Sequence, residues 1–190
     1  MRKLLLMLMF ALVAATAYVP PQGSLGKHKK ASPAQKYAED RKRTTMRAWG
    51  FRTGAPYMNL EAYAAMVARG KLAEQTAVLI TSTLKAQMDI SNGSLGEIKA
   101  FAEELIVGSR VVKSDRYVNK DNTETCYVAV EISLEDILRN IQGSKEFQQT
   151  MNRVAGGRTV NVSSKEFADQ MRDTFDNCRD NDQFLDTSIL

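Results

Sequence analysis

From Asn59 to about Met88 the chain carries Leu60, Ala64, Val67, Ala68, Leu72, Ala77, Ile80, Leu84 and Met88 at three- and four-residue steps, with Gly70 the main breaker. That period predicts one dominant helix, about 45 Å long at a rise of 1.5 Å per residue. Ala62, Ala64, Ala65, Ala68, Gly70 and Ala73 crowd one side of it, so a sheet or another helix can approach closely. Whatever the rest of the chain forms has to cover this rod.

Two β-rich runs supply a cover. Val107 to Val118 and Glu124 to Ser133 flank Asn119-Lys120-Asp121-Asn122-Thr123, a polar cluster suited to a hairpin loop. On the second run, Cys126, Val128, Val130 and Ile132 share one parity and Tyr127, Ala129 and Glu131 the other, which predicts one face against helix and one wetter face. Arg47-Ala48-Trp49-Gly50-Phe51-Arg52-Thr53-Gly54 reads as a short first strand, with Trp49 a core anchor of it. Ser32-Pro33 opens a short basic helix over about 33–46. Ser94 with Glu97 resembles a capping box for a helix to about Leu105. A further helix is expected from Ser133-Leu134-Glu135-Asp136 to about Val154, stopped by Gly156-Gly157, and a last one from Ser163-Ser164-Lys165-Glu166 through Phe167, Met171, Phe175 and Cys178. The expected fold is α+β: a small antiparallel sheet, made of the short first strand and the hairpin, packed against the long alanine-rich helix, with additional C-terminal helices. The expected organisation is a 1–17 signal peptide, an 18–44 flexible basic leader and short helix, a 45–133 core module, and 134–190 C-terminal helices with an acidic tail.

The leader gives the address. Arg2-Lys3, an apolar run from Leu4 to Val13, and Ala15-Thr16-Ala17 have the order of a secretory signal with a small-residue cleavage site. About ten apolar residues fall well short of the roughly twenty that cross a bilayer as a helix. The mature product is expected to begin at Tyr18, without a transmembrane segment, and to be periplasmic or secreted. The 190 residues less the leader's 17 leave 173, with 24 basic against 22 acidic residues and a net charge of +2. That balance argues against nucleic acid as a partner.

Charge is nevertheless uneven. Lys27, Lys29, Lys30, Lys36, Arg41, Lys42, Arg43, Arg47 and Arg52 face only Glu39 and Asp40, whereas the chain from Ser163 onward is acidic. Within this stretch Lys29, Lys30, Arg41, Lys42, Arg43, Arg47 and Arg52 are the candidate contacts for an anionic partner, an envelope lipid or glycan; the bland reading of the same run is a solvated, solubilising surface. Cys126 and Cys178 permit one disulfide in an exported chain, worth roughly 4 kcal/mol of loop entropy, while the strand parity of Cys126 favours a small buried core residue.

Nothing in the chain spells out a reaction. His28 is the sole histidine and sits between lysines in the leader, without fellow metal ligands. Glu103-Glu104 and Glu135-Asp136 are adjacent on helices, diverging by about 100°, so they read as solvated faces and helix-start charges. Asp180-Asn181-Asp182 lacks the glycine and terminal glutamate of a calcium loop, and Gly156-Gly157-Arg158 lacks the lysine and setting of a phosphate loop. No catalytic residue, cofactor or metal is expected.

Trp49-Gly50, Ala65-Met66-Val67-Ala68-Arg69-Gly70-Lys71-Leu72-Ala73, and the hairpin residues Arg110-Val111-Val112, Tyr117-Val118 and Cys126-Tyr127-Val128-Ala129-Val130 together resemble a known pattern. Over residues 46–133 the chain is similar to the bacterial envelope family typified by the twenty-kilodalton Helicobacter lipoprotein and its uncharacterised relatives in Bacteroides-type bacteria. The resemblance implies a helix packed on a small antiparallel sheet, similar also to the N-terminal domain of a flagellar ring protein, and no enzyme activity. The chain departs from the lipoprotein members in having no cysteine to lipidate at the predicted cut. The resulting expectation is a non-enzymatic envelope protein that binds another protein or itself, with a peripheral binder of anionic lipid or glycan as the alternative.

Overall fold

A computed structural model describes residues 31–39, 44–85, 94–157 and 159–180. The predicted signal, Lys29, Lys30, Arg41, Lys42, Arg43 and the acidic tail after 180 lie outside the described residues. In chain order the elements are α1 (Pro33–Glu39), β1 (Thr45–Gly54), α2 (Leu60–Lys85), α3 (Leu95–Leu105), β2 (Arg110–Val118), β3 (Glu124–Ser133), α4 (Leu134–Gly143), α5 (Phe147–Val154) and α6 (Ser164–Asp180). The fold is α+β, as the two periodicities imply. Its sheet has three antiparallel strands in the order β1-β3-β2, with β3 at the centre.

The contact between β1 and α2 explains the small residues on both. Gly50 lies against the helix backbone so closely that a Cβ there would stand 2.5 Å from the Ala64 carbonyl oxygen and 2.6 Å from the Ala68 nitrogen. Alanine on the helix and glycine on the strand bring the two backbones together, and Leu60, Ala64, Ala68 and Leu72 become fully buried. Farther along, α2 is enclosed on nearly all sides, with every residue from Thr76 to Thr81 buried. Its buried hydroxyls are satisfied within the helix: Thr76, Thr81 and Thr83 donate to the carbonyls of Leu72, Ala77 and Leu79 at 2.8 to 2.9 Å. α3, α4, α5 and α6 complete this core through Ile98, Phe101, Ile137, Phe147, Met151, Phe167 and Met171, so one apolar cluster joins residues of the 45–133 segment to those of the C-terminal helices.

Several local expectations are corrected. The first helix, described over Pro33–Glu39, does not reach residue 46, because the chain is already strand at Thr45. Thr44 and Thr45 are β-branched, the Thr44 carbonyl is held by the Leu134 N–H, and Met46 turns into the main core. The Ser94 capping box does not form: Ser94 is buried in helical backbone geometry, and its hydroxyl donates to the Val154 carbonyl at 2.6 Å. The reciprocal arrangement occurs instead at α6, where Ser163 N–H donates to Glu166 and Glu166 N–H donates back to Ser163 Oγ. The single helix expected over 134–154 is two. Ser144 is extended, and α5 restarts at Phe147, which turns the chain so that Phe147 meets both Phe101 and Phe167. Gly156 and Gly157, at φ 69° and 81°, end α5 in the left-handed region that glycine tolerates.

Cys126 and Cys178 do not pair. Both are buried thiols with no disulfide between them, Cys126 within the core face of β3 beside Ser114, and Cys178 on α6 hydrogen-bonded to Ser82 of α2. Burial pushes the Cys178 thiol above its ordinary pKa, with the Ser82 hydrogen bond opposing the shift.

Candidate functional site

The largest departure from expectation lies on the second face of the sheet. Tyr127, Ala129 and Glu131 were expected on a wetter side of β3, yet all three are buried. The cover is α1, which lies across the three strands and places Ala34, fully buried, with Tyr127 and Ala129. Tyr37, Ala38, Trp49, Phe51, Val112 and Tyr117 pack round them, partly buried. β3 is therefore enclosed on both faces, which accounts for its near-continuous apolar run.

Charges hold one end of this face. Register places Arg47 of β1 and Arg110 of β2 opposite Glu131 of β3. Arg47 Nε reaches Glu131 Oε2 at 3.1 Å and Arg110 Nη2 reaches Oε1 at 2.9 Å, while Tyr37 Oη donates to Oε2 at 3.2 Å. Arg47 also donates to the Tyr37 carbonyl at 3.2 Å and its hydroxyl at 3.1 Å, with its guanidinium 4.1 Å from the Tyr37 ring centroid. Burial alone would raise the Glu131 pKa; the hydrogen bonds from Arg110, Arg47 and Tyr37 outweigh it and hold the carboxyl below the usual glutamate range. A carboxylate kept ionised, with both oxygens already accepting, is suited to fixing strands and helix in place, not to passing protons at neutral pH.

Aromatic rings fill the middle of the face. Phe51 and Tyr127 stack at 5.6 Å, Trp49 lies 6.2 Å from Phe51 and 6.3 Å from Tyr127, and Tyr117 meets Tyr127 edge-on at 5.8 Å. Burial and the neighbouring Tyr117 raise the Tyr127 pKa. Trp49 is thus an anchor of the smaller cluster under α1, not of the main core. Lys71 of α2 bends round the β1 edge to put its Nζ 4.3 Å from the Trp49 ring; desolvation lowers its pKa, with Glu74 opposing. At the hairpin end Thr53 and Thr125 hydroxyls share a 2.8 Å hydrogen bond, and Asn119 Nδ2 donates to Thr125 and Thr123.

The basic candidates separate. Arg47 is turned inward and committed to Glu131, whereas Arg52, on the opposite face of β1, lies half-buried with its guanidinium 5.8 Å from the Tyr63 ring centroid. The remaining five candidates lie outside the described residues. The acidic pairs also go to separate work: Glu135 binds Arg172 at 2.9 Å, Asp136 N–H donates to the Ser133 cap, and Glu103 and Glu104 are exposed. Sequence reading missed Glu131, Arg110 and Tyr37 as a cluster. The available signal was an acid inside the Cys126–Ile132 apolar run, with a basic residue in each neighbouring strand; recognising it needed the strand register.

Among the described residues no three His, Cys, Asp or Glu side chains come together in a way that could hold a metal ion, and no helix is long and apolar enough to cross a membrane. Comparison with known protein families, with curated proteins and with solved structures finds no match to this chain.

Proposed function

We propose that the chain is an exported, non-enzymatic cell-envelope protein whose folded part is a module for binding another protein or itself. The observation that carries the reading is the leader, Arg2-Lys3 followed by Leu4–Val13 and Ala15-Thr16-Ala17, which has the charge, length and small-residue end of a secretory signal. The use the fold makes of its buried charges supports the second half: Glu131 and Arg47, the buried acid and base of the second sheet face, are spent on each other and on α1. The resemblance over residues 46–133 to the envelope family of the twenty-kilodalton Helicobacter lipoprotein points the same way.

Expression of the full chain in a Gram-negative bacterium, with fractionation and intact-mass analysis, tests the export. The expected product is periplasmic or secreted and begins at Tyr18. A full-length product retained in the cytoplasm would contradict the proposal. Affinity capture from envelope extract is expected to retain a protein in defined ratio to the bait, and capture that requires only anionic vesicles and vanishes with salt would replace the protein-binding reading with a lipid-binding one.

A further inference from the structure

We propose that the exposed stripe of α2 formed by Tyr63, Met66, Val67 and Gly70 is the surface on which a second copy of this chain docks, with its own α2 lying antiparallel. The inference rests on the reading of the chain as a module that binds another protein or itself, and it names the partner and the surface.

The first argument is a glycine that the fold does not use. Glycine inside a helix is less stable than alanine, because its backbone loses more freedom on folding. Gly50 of β1 has a steric reason to lack a side chain, since a Cβ there would strike the α2 backbone. Gly70 has no such reason. It stands in the interior of the 26-residue α2, exposed, and a Cβ built on it meets no atom within 4 Å. The sequence groups it with the alanines that meet the sheet, yet it lies on the outer side of the helix. Bare backbone at that point lets another chain approach closely.

The second argument is what shares its face. Val67, Met66 and Tyr63 precede Gly70 by three, four and seven residues, the spacing of one helix face, and they are 38%, 66% and 46% exposed. Farther along, α2 is enclosed, with every residue from Thr76 to Thr81 buried. The stripe is therefore an apolar patch on the N-terminal half of the helix, built of side chains that protein interfaces favour and broken by one gap at Gly70.

The order of residues along the stripe selects the occupant. Tyr63 and Gly70 lie at nearly equal distances on either side of Met66. A second α2 laid antiparallel, with the two-fold axis at Met66, sets Tyr63 of each copy over Gly70 of the other. Charge runs in the same sense. The Arg52 guanidinium stands 5.8 Å from the Tyr63 ring centroid at one end, and Glu74 continues the same line of the helix one turn past Gly70 at the other. Reversal brings these opposite charges together, while Lys71 is turned away over the Trp49 ring. A parallel pairing would set Tyr63 on Tyr63 and Arg52 on Arg52. A patch that complements itself under a two-fold rotation fits an isologous dimer.

Sedimentation equilibrium of the purified full mature chain, loaded from about 1 μM to about 1 mM, tests the dimer. The wild type is expected to show a monomer–dimer equilibrium within that range. Met66→Lys, which places two like charges at the axis, is expected to raise the dimer dissociation constant at least about tenfold with the melting temperature unchanged. Gly70→Ala separates docking from folding: the monomer is expected to melt about 2–4 °C higher, because alanine suits the helix and has room there, while the dimer weakens at least about tenfold. A wild type that stays monomeric throughout, or a dimer that both substitutions leave intact, would overturn the proposal. A monomeric wild type whose capture of an envelope protein is abolished by Met66→Lys would give the face to a foreign partner and overturn the second copy. Association of the purified chain needs neither export nor an envelope component, so a cytoplasmic product or an empty capture would refute the envelope reading while leaving the dimer standing.

Discussion

The two faces of the central strand are buried by different physics. Toward α2, β3 presents Cys126, Val128, Val130 and Ile132 to a helix whose alanines let its backbone rest on Gly50, and the contact is apolar and close-packed. Toward α1 it presents Tyr127, Ala129 and Glu131 to a seven-residue helix, and the contact is a small aromatic cluster fastened by Glu131, Arg47, Arg110, Tyr37 and Asp115. The comparison teaches that burial of a strand face need not mean one kind of stabilisation. The α2 face should answer to volume; the α1 face should answer to charge and pH.

The sharpest way to break the comparison is Glu131→Gln. Leaving Arg47 buried without its carboxylate is expected to cost about 3–5 kcal/mol in urea unfolding. A loss under 1 kcal/mol would show the charges to be incidental to that face. Gly50→Ala attacks the other side: its methyl would meet helix backbone, which has no flexible end to yield, and a destabilisation of about 1–3 kcal/mol is expected, insensitive to pH. Tyr37→Phe is the mildest. It removes the hydroxyl that serves Glu131 and Arg47 but keeps the ring, and should lower stability by about 1 kcal/mol while raising the exchange rate of α1.

How much of this was legible before the structure depends on which interaction carries each element. α2 and the hairpin were readable because a period of 3.6 or 2 is a local property of the residues, and the turn at Asn119–Thr123 announces itself by composition; Asn122 indeed adopts φ 61°. The burial of Tyr127 and Glu131 was not readable. It depends on α1 crossing the sheet from a distant part of the chain, and on a register that brings Arg47 and Arg110 to the same carboxylate. The break at Ser144 and the misplaced capping box have a similar origin: Ser94 gives its hydroxyl to Val154, sixty residues away, and that tertiary bond overrides a local motif. The inward turn of Arg47 likewise removes one residue from what looked like a continuous basic surface.

The most direct test of the account is the stability difference between the wild-type chain and Glu131→Gln as a function of pH. Glu131 has its folded pKa held below the unfolded value, so the stability it contributes is complete above the unfolded pKa and is lost as pH falls through the depressed folded one. The account predicts a gap that is constant from neutral pH down to roughly pH 5 and then closes steadily on acidification, as protonation makes the wild-type carboxyl resemble the amide. A gap that stayed the same across that range, or that was absent at neutral pH, would contradict the claim that charge holds the second face of the sheet.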